Sequence, residues 1–234
     1  MLVNMVLDKS NIMVKKEDLR APLIKQLFRR ASMPIASFLA KYTKVTPNQV
    51  TLVVFLLSFL NAYLFYLGDY IYLILGGILL GVRFLFDYVD GSLARIKNMG
   101  SMLGYWYDHH GDEAGKVILF LGITLGVFKQ TQDSNVLIFG FLLTSAYLLG
   151  SLTYLVFMRV FSFADDVVEA EKGKRKFIKQ FFFIDPFVTI IIMLVAFINQ
   201  FYWFLLIASV YSWLFTIAQF VALSMRAKVH LKKS

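Results

Sequence analysis

DYVDGSLARIKNMGSMLGYWYDHHGDEAGK, residues 87–116, sets four aspartates at regular spacing between long apolar runs. Asp87, Asp90, Gly91 and Ala94 stand at i, i+3, i+4 and i+7, the spacing of one helix face. Gly104, Asp108 and Asp112 repeat at i, i+4 and i+8, again one stripe. Between the two stripes Asn98 and Gly100 supply turn chemistry, so the second helix is expected as an antiparallel neighbour of the first. The two acidic stripes can then face each other.

Four ionised carboxylates do not converge unaided. Each pair at ~4 Å repels by about 4 kcal/mol even at an effective dielectric near 20. Hard divalent cations take oxygen ligands, and two Mg²⁺ or Mn²⁺ ions would balance the four charges. A site neutralised in this way accepts an anionic diphosphate. Gly91 and Ala94 leave room against the helix, and Arg95 offers a forked donor to phosphate.

Outward from this stretch the chain is greasy. Of 234 residues 59% are hydrophobic, 24 of them Phe, against about 45–50% apolar in soluble domains. Six stretches, about 50–68, 70–92, 103–128, 135–161, 184–199 and 201–224, are expected to cross a bilayer as helices. The connections GDY, KQTQDS and NQF hold a single Lys. Most Lys and Arg fall on the other side: in residues 1–49, at Arg95 and Lys97, in the run 172–179, and in the tail 226–234. The positive-inside rule places both termini, and the acids with them, on the cytoplasmic side. The fold expected is an all-α integral membrane protein: a cytoplasmic segment 1–49, a six-helix transmembrane domain 50–225 that carries the acids and a basic tail 226–234.

The net charge of +9 reads as adhesion to an anionic leaflet and not as nucleic-acid binding, because no aromatic-basic reader motif accompanies it. In the N-terminal segment Leu19, Leu23 and Leu27 share a stripe while Arg20, Lys25, Arg29 and Arg30 take other positions, the pattern of an interfacial amphipathic helix. Pro22 suits its first turn and Pro34 is expected to break it. The start of the chain lacks the pattern of a cleavable leader. Cysteine is absent, so any metal ligand is oxygen or imidazole.

The spacing Asp, two residues, Asp-Gly, two residues, Ala-Arg, eight residues, Gly, three residues, Asp, three residues, Asp is met in full by Asp87, Asp90, Gly91, Ala94, Arg95, Gly104, Asp108 and Asp112. The chain thereby resembles the CDP-alcohol phosphotransferase family, and TPNQVT, residues 46–51, is similar to the segment before that family's first span. The resemblance implies a six-helix membrane enzyme, a homodimer, with Asp87, Asp90, Asp108 and Asp112 on two metal ions and Asp112 also as general base. It further implies that Thr46, Pro47, Asn48, Gly91, Ala94, Arg95 and Gly104 hold the CDP-linked donor. The acceptor oxygen would attack the phosphorus carrying the lipid, and CMP would leave.

The expected partners are the bilayer, CDP-diacylglycerol as donor and a small polar alcohol as acceptor, with Lys116 and Arg159 as candidate contacts to an anionic or zwitterionic acceptor. A choline- or ethanolamine-type phosphotransferase using diacylglycerol is the alternative within the family. A divalent-cation transporter is the alternative outside it, although acids at one edge and no repeated half speak against transport. Lys116 could instead pair with Asp112 or Glu113, Arg159 could anchor the helix in the membrane, and Arg83 could pair with Asp87. His109 and His110 suit hydrogen bonding better than metal. Asp185-Pro186 reads as a helix start.

Overall fold

The computed structural model describes residues 5–7, 13–15, 23–160 and 185–231. Seven helices make up almost all of the described chain: α1 (Leu23–Tyr42), α2 (Pro47–Leu67), α3 (Tyr70–Ile96), α4 (Met102–Thr131), α5 (Asn135–Val160), α6 (Asp185–Ile198) and α7 (Phe201–Leu231). A short antiparallel pair, β1 (Met5–Leu7) and β2 (Met13–Lys15), precedes them.

Local chemistry sets several boundaries. Thr46 caps α2, accepting from the Gln49 backbone N–H while the Gln49 side chain accepts from the Thr46 N–H, and Pro47 fills the first position. This capping box starts α2 three residues before the apolar run, which brings Asn48 onto the helix. Gly68 ends α2 in the left-handed region, at φ 82°. Asn98 takes φ 54° in the turn after α3, and Ser101 caps α4 through the Gly104 N–H.

Among the described residues four helices are long and apolar enough to cross a membrane: Pro47–Leu67, Tyr70–Ile96, Asn135–Phe157 and Phe201–Met225. Two of the six expected spans fall outside that description. The stretch 103–128 lies in α4, whose first half carries Asp108, Asp112, Glu113 and Lys116. The stretch 184–199 forms α6, whose 14 residues reach about 21 Å, short of the ~30 Å hydrocarbon core. Leu52, Leu56, Ile71, Ile78, Phe141, Trp203 and Leu214 point outward from the four long helices.

Pro34 does not break α1, which runs through it to Tyr42; the missing N–H costs one internal bond, and packing holds the helix across the gap. Its packed face is Phe28, Ser32 and Ala36. Phe28 meets Phe84 edge-on at 4.7 Å and stacks on Tyr88 at 6.0 Å, Ser32 Oγ lies 3.3 Å from Ser92 Oγ, and Ala36 is buried with Val50, Val54, Val89 and Leu93. Leu27, Phe38 and Tyr42 are exposed. Leu19 lies outside the described residues.

α2 is the hub near the acidic stretch: it packs against both α3 and α4, while α3 and α4 make almost no close backbone contact with each other. The expected neighbouring pair is therefore a splayed pair with α2 behind it. Glycines permit this. A Cβ at Gly122 or Gly126 would run into the backbone of Ala62 or Phe65 on α2. The larger core, which includes Phe65, Leu80, Leu119, Ile123, Leu143, Ile192 and Leu205, ties α2–α4 to α5–α7.

Candidate active site

The open angle between α3 and α4 is where the acids meet. One carboxylate oxygen each from Asp87, Asp108 and Asp112 lies within 4.8 Å of the other two, a spacing that suits a shared cation. Asp90 is buried and accepts a 2.6 Å hydrogen bond on Oδ2 from the Thr51 hydroxyl of α2. The four aspartates thus divide into three that converge and one that α2 steers. Because the backbones stay apart and the carboxylates reach inward, the site keeps a volume between them.

That volume opens two ways. A polar cavity of about 250 Å³ is lined by Asp87, Asp90, Asp108, Gly91, Arg95 and, from α1, Lys25 and Arg29. A second cavity of about 490 Å³ runs inward from Asp87, Asp112, Arg83 and Lys116, and its walls are apolar for most of its length, with Leu80, Phe120, Ile192 and Trp203.

The expected donor residues occupy distinct places. A Cβ on Gly91 would meet only Arg95 Nη1, at 3.8 Å, so the helix surface beside Asp90 is open. Arg95 donates to Ser92 Oγ at 3.0 Å, and Ala94 is half-buried. Gly104 sits under Asn48: a Cβ there would stand 3.1 Å from both Asn48 Oδ1 and Ser101 Oγ. Thr46 and Pro47 form the start of α2, and Lys97 fixes the strip before it by donating to the Thr43 and Val45 carbonyls at 3.0 and 2.7 Å. Asn48 also lines a separate hollow of about 490 Å³ with Thr51, Phe55, Tyr107 and His110.

Other expected contacts are redrawn. Arg83 pairs with Asp112, at 3.3 Å, and not with Asp87 one turn above it on its own helix. Gly115 makes that reach possible, since a Cβ would stand 2.7 Å from both Arg83 Nη2 and Ser58 Oγ. Lys116 Nζ lies 5.3 Å from the centre of the Tyr147 ring. His109 stacks on Tyr105, and His110 Nδ1 is 3.0 Å from the Trp106 carbonyl. Arg159 belongs to the last turn of α5, but its side chain, like the basic run 172–179, lies outside the described residues. The roles of Arg83, Thr51 and Lys97 escape sequence reading. Thr51 ends the TPNQVT segment, and Gly115 follows Gly111 by one turn; neither signal names its partner.

Comparison with known proteins gives the family. The model for CDP-alcohol phosphatidyltransferase matches residues 44–223. The archaetidylinositol phosphate synthase of Pyrococcus horikoshii is 36% identical over 105 residues, 45% of this chain and 52% of that one. The bifunctional IPC transferase and DIPP synthase of Aquifex aeolicus is 36% identical over 84 residues, 36% of this chain and 18% of that one. The alignments thus span about half of the first relative and under a fifth of the second. Among solved structures, phosphatidylinositol phosphate synthase of Mycobacterium tuberculosis with CDP-DAG bound shares 26% identity at a TM-score of 0.52, covering 85% of this chain and 92% of that one. The same enzyme in complex with manganese and citrate shares 25% at a TM-score of 0.50, covering 84% and 87%. With the family model covering most of its length, this chain belongs to the CDP-alcohol phosphatidyltransferase family.

Proposed function

We propose that the protein transfers a phosphatidyl group from a CDP-linked lipid such as CDP-diacylglycerol to an inositol phosphate, releasing CMP. The observation that carries this reading is the meeting of Asp87, Asp108 and Asp112 beside an open Gly91 and a half-buried Arg95. The relatives named for inositol phosphate products and the solved relative with CDP-DAG bound support the substrate pair. They favour inositol phosphate over diacylglycerol, and so speak against the choline- or ethanolamine-type alternative; family membership speaks against transport.

Asp87, Asp90, Asp108 and Asp112 would hold two Mg²⁺ or Mn²⁺ ions; the three converging oxygens are a hard donor set of suitable spacing, and a related enzyme is known with manganese. Such ions supply charge stabilisation for phosphoryl oxygens when bound. The remaining work belongs to the chain. Thr46, Pro47, Asn48 and Gly104 would shape the nucleotide seat, Gly91 and Ala94 would let the donor lie against α3, and Arg95 would donate to its phosphate. Asp112 would take the proton from the attacking hydroxyl. Lys116, which lines the larger cavity beside Asp112, would meet the phosphate of the acceptor, with Arg159 from the end of α5, and Arg83 would hold Asp112 in place. The apolar walls beyond would receive lipid chain.

The proposal includes six crossings, with α4 entering acid-first at the membrane edge and α6 completing the bundle. It places the site and both termini on the cytoplasmic side, α1 at the interface, and two copies in the membrane. The test supplies purified protein with CDP-diacylglycerol and a panel of alcohols in Mg²⁺ or Mn²⁺. Phosphatidylinositol phosphate is the product expected, chelator should abolish it, and Asp112→Asn should lower turnover at least ~10²-fold while nucleotide still binds. Full turnover in excess chelator, or transfer of phosphocholine to diacylglycerol, defeats the reading.

A further inference from the structure

Lys25 and Arg29 stand out among the bases of α1. They lie one turn apart on either side of Phe28, and Phe28 is the residue that clamps α1 to Phe84 and Tyr88 of α3. That clamp turns both bases inward. They are half-buried, whereas the adjacent Arg30 is exposed, and both line the 250 Å³ cavity that also holds Asp87, Asp90, Asp108 and Arg95. Neither residue falls in the aspartate motif or in the matched residues 44–223.

Three carboxylates and three bases share this cavity. If the bases served only to neutralise the acids, they would compete with divalent ions for the same oxygens. With cations on the acids, the two inward bases add to the positive charge that lines the cavity, and an anion lying between them relieves it. A diphosphate is such an anion, with enough oxygens to meet the acid-bound cations on one side and lysine and arginine donors on the other. We propose that Lys25 and Arg29 are binding residues for the diphosphate of the nucleotide donor, closing its subsite from the α1 side opposite Arg95. This rests on the CDP-donor reading above, and it makes α1 part of the site as well as a helix at the membrane face.

The test is titration of CDP, free of lipid, into the purified full chain in neutral detergent with saturating Mn²⁺. Lys25→Gln and Arg29→Gln keep the aliphatic stems and the Phe28 clamp, and thermal unfolding checks that they fold like the parent. Each should raise the CDP Kd about 10-fold or more, the worth of a charge-assisted hydrogen bond. Lys25→Arg should restore most of the loss, and Arg30→Gln should leave the Kd unchanged. Mn²⁺ affinity measured without nucleotide should change by no more than about 2-fold in either variant. If CDP binds the two variants as it binds the parent, the proposal is wrong, and tighter Mn²⁺ binding alongside would identify the bases as counter-ions of the acids. If the parent itself fails to bind CDP in Mn²⁺, the donor reading falls and this proposal with it.

Discussion

Arg83 Nη2 on α3 stands 3.3 Å from Asp112 Oδ1 on α4, and this ion pair bridges two helices whose backbones hardly meet. Arg83 is buried, with its Nε left without a hydrogen-bond partner, while Asp112 is about a quarter exposed. Burial leaves the guanidinium little room to swing, and its contact is with Asp112 Oδ1, so the other carboxylate oxygen is not engaged by this pair.

Substituting Arg83 by Met should therefore lower kcat more than it raises the KM for CDP-lipid, with a fall of about 10-fold or more if Asp112 works as the base. Arg83→Lys should recover part of the rate, because one charged donor still reaches the carboxylate. Steady-state kinetics with donor and acceptor each varied through its KM check this. A change confined to KM would mean that Arg83 binds substrate and does not position Asp112.

Thr51 couples α2 to Asp90 through a 2.6 Å hydrogen bond. Bonds to a buried carboxylate are worth about 1.5–3 kcal/mol, so Thr51→Val should weaken Mn²⁺ or nucleotide binding roughly 10-fold or more. Thr51→Ser, which keeps the hydroxyl, should bind like the parent. Calorimetric titration of both variants decides it.

The Asp87–Asp112 stripe pattern could be read without a structure because helical periodicity is local: residues three, four and seven apart share a face whatever the rest of the chain does. The turn at Asn98 sets α4 back alongside α3, but the convergence of Asp87, Asp108 and Asp112 also needs α2, on which both helices pack. Arg83 illustrates what escapes. Its nearest acid along the helix is Asp87, and only the missing side chain at Gly115, on another helix, lets it choose Asp112 instead. Pro34 is a second case, where a residue unfavourable to helices is overridden by the tertiary contacts of Phe28, Ser32 and Ala36. Lys25 and Arg29 are a third, since an interfacial stripe reads the same whether its bases face lipid headgroups or a cavity.

Gly122 and Gly126 are closest to the α2 backbone. Gly122→Ala should force α2 and α4 apart, at a cost of about 1–3 kcal/mol for overpacking, and lower the midpoint of thermal unfolding in detergent. Gly100, with nothing within 4 Å of an added Cβ, should accept Ala with little change.

At the other end of α4, Asp133 accepts from the Asn135 N–H and from the Tyr202 hydroxyl, at 3.0 and 2.9 Å. These bonds, the Asn135 backbone first, hold its carboxyl below the ordinary carboxylate range. A lowered folded-state pKa stabilises above the unfolded value and loses that contribution as pH falls through the folded one. The stability difference between the parent and Tyr202→Phe should thus be constant near neutrality and close under acid. Unfolding midpoints measured from pH 7 down to about pH 3 check the sign.

The contact of Gly122 and Gly126 with α2 joins helices that are not consecutive, for α3 lies between them in the chain. During synthesis Asp87 and Asp90 emerge before the segment that gives their partners a place to stand. The chain must then harbour half of an acidic site in the membrane until α4 docks on α2, and only that docking brings Asp108 and Asp112 across. The acidic cluster is thus completed by α4 before the last three helices have been made, and the close seat at Gly122 and Gly126 sets how firmly its two halves are held together.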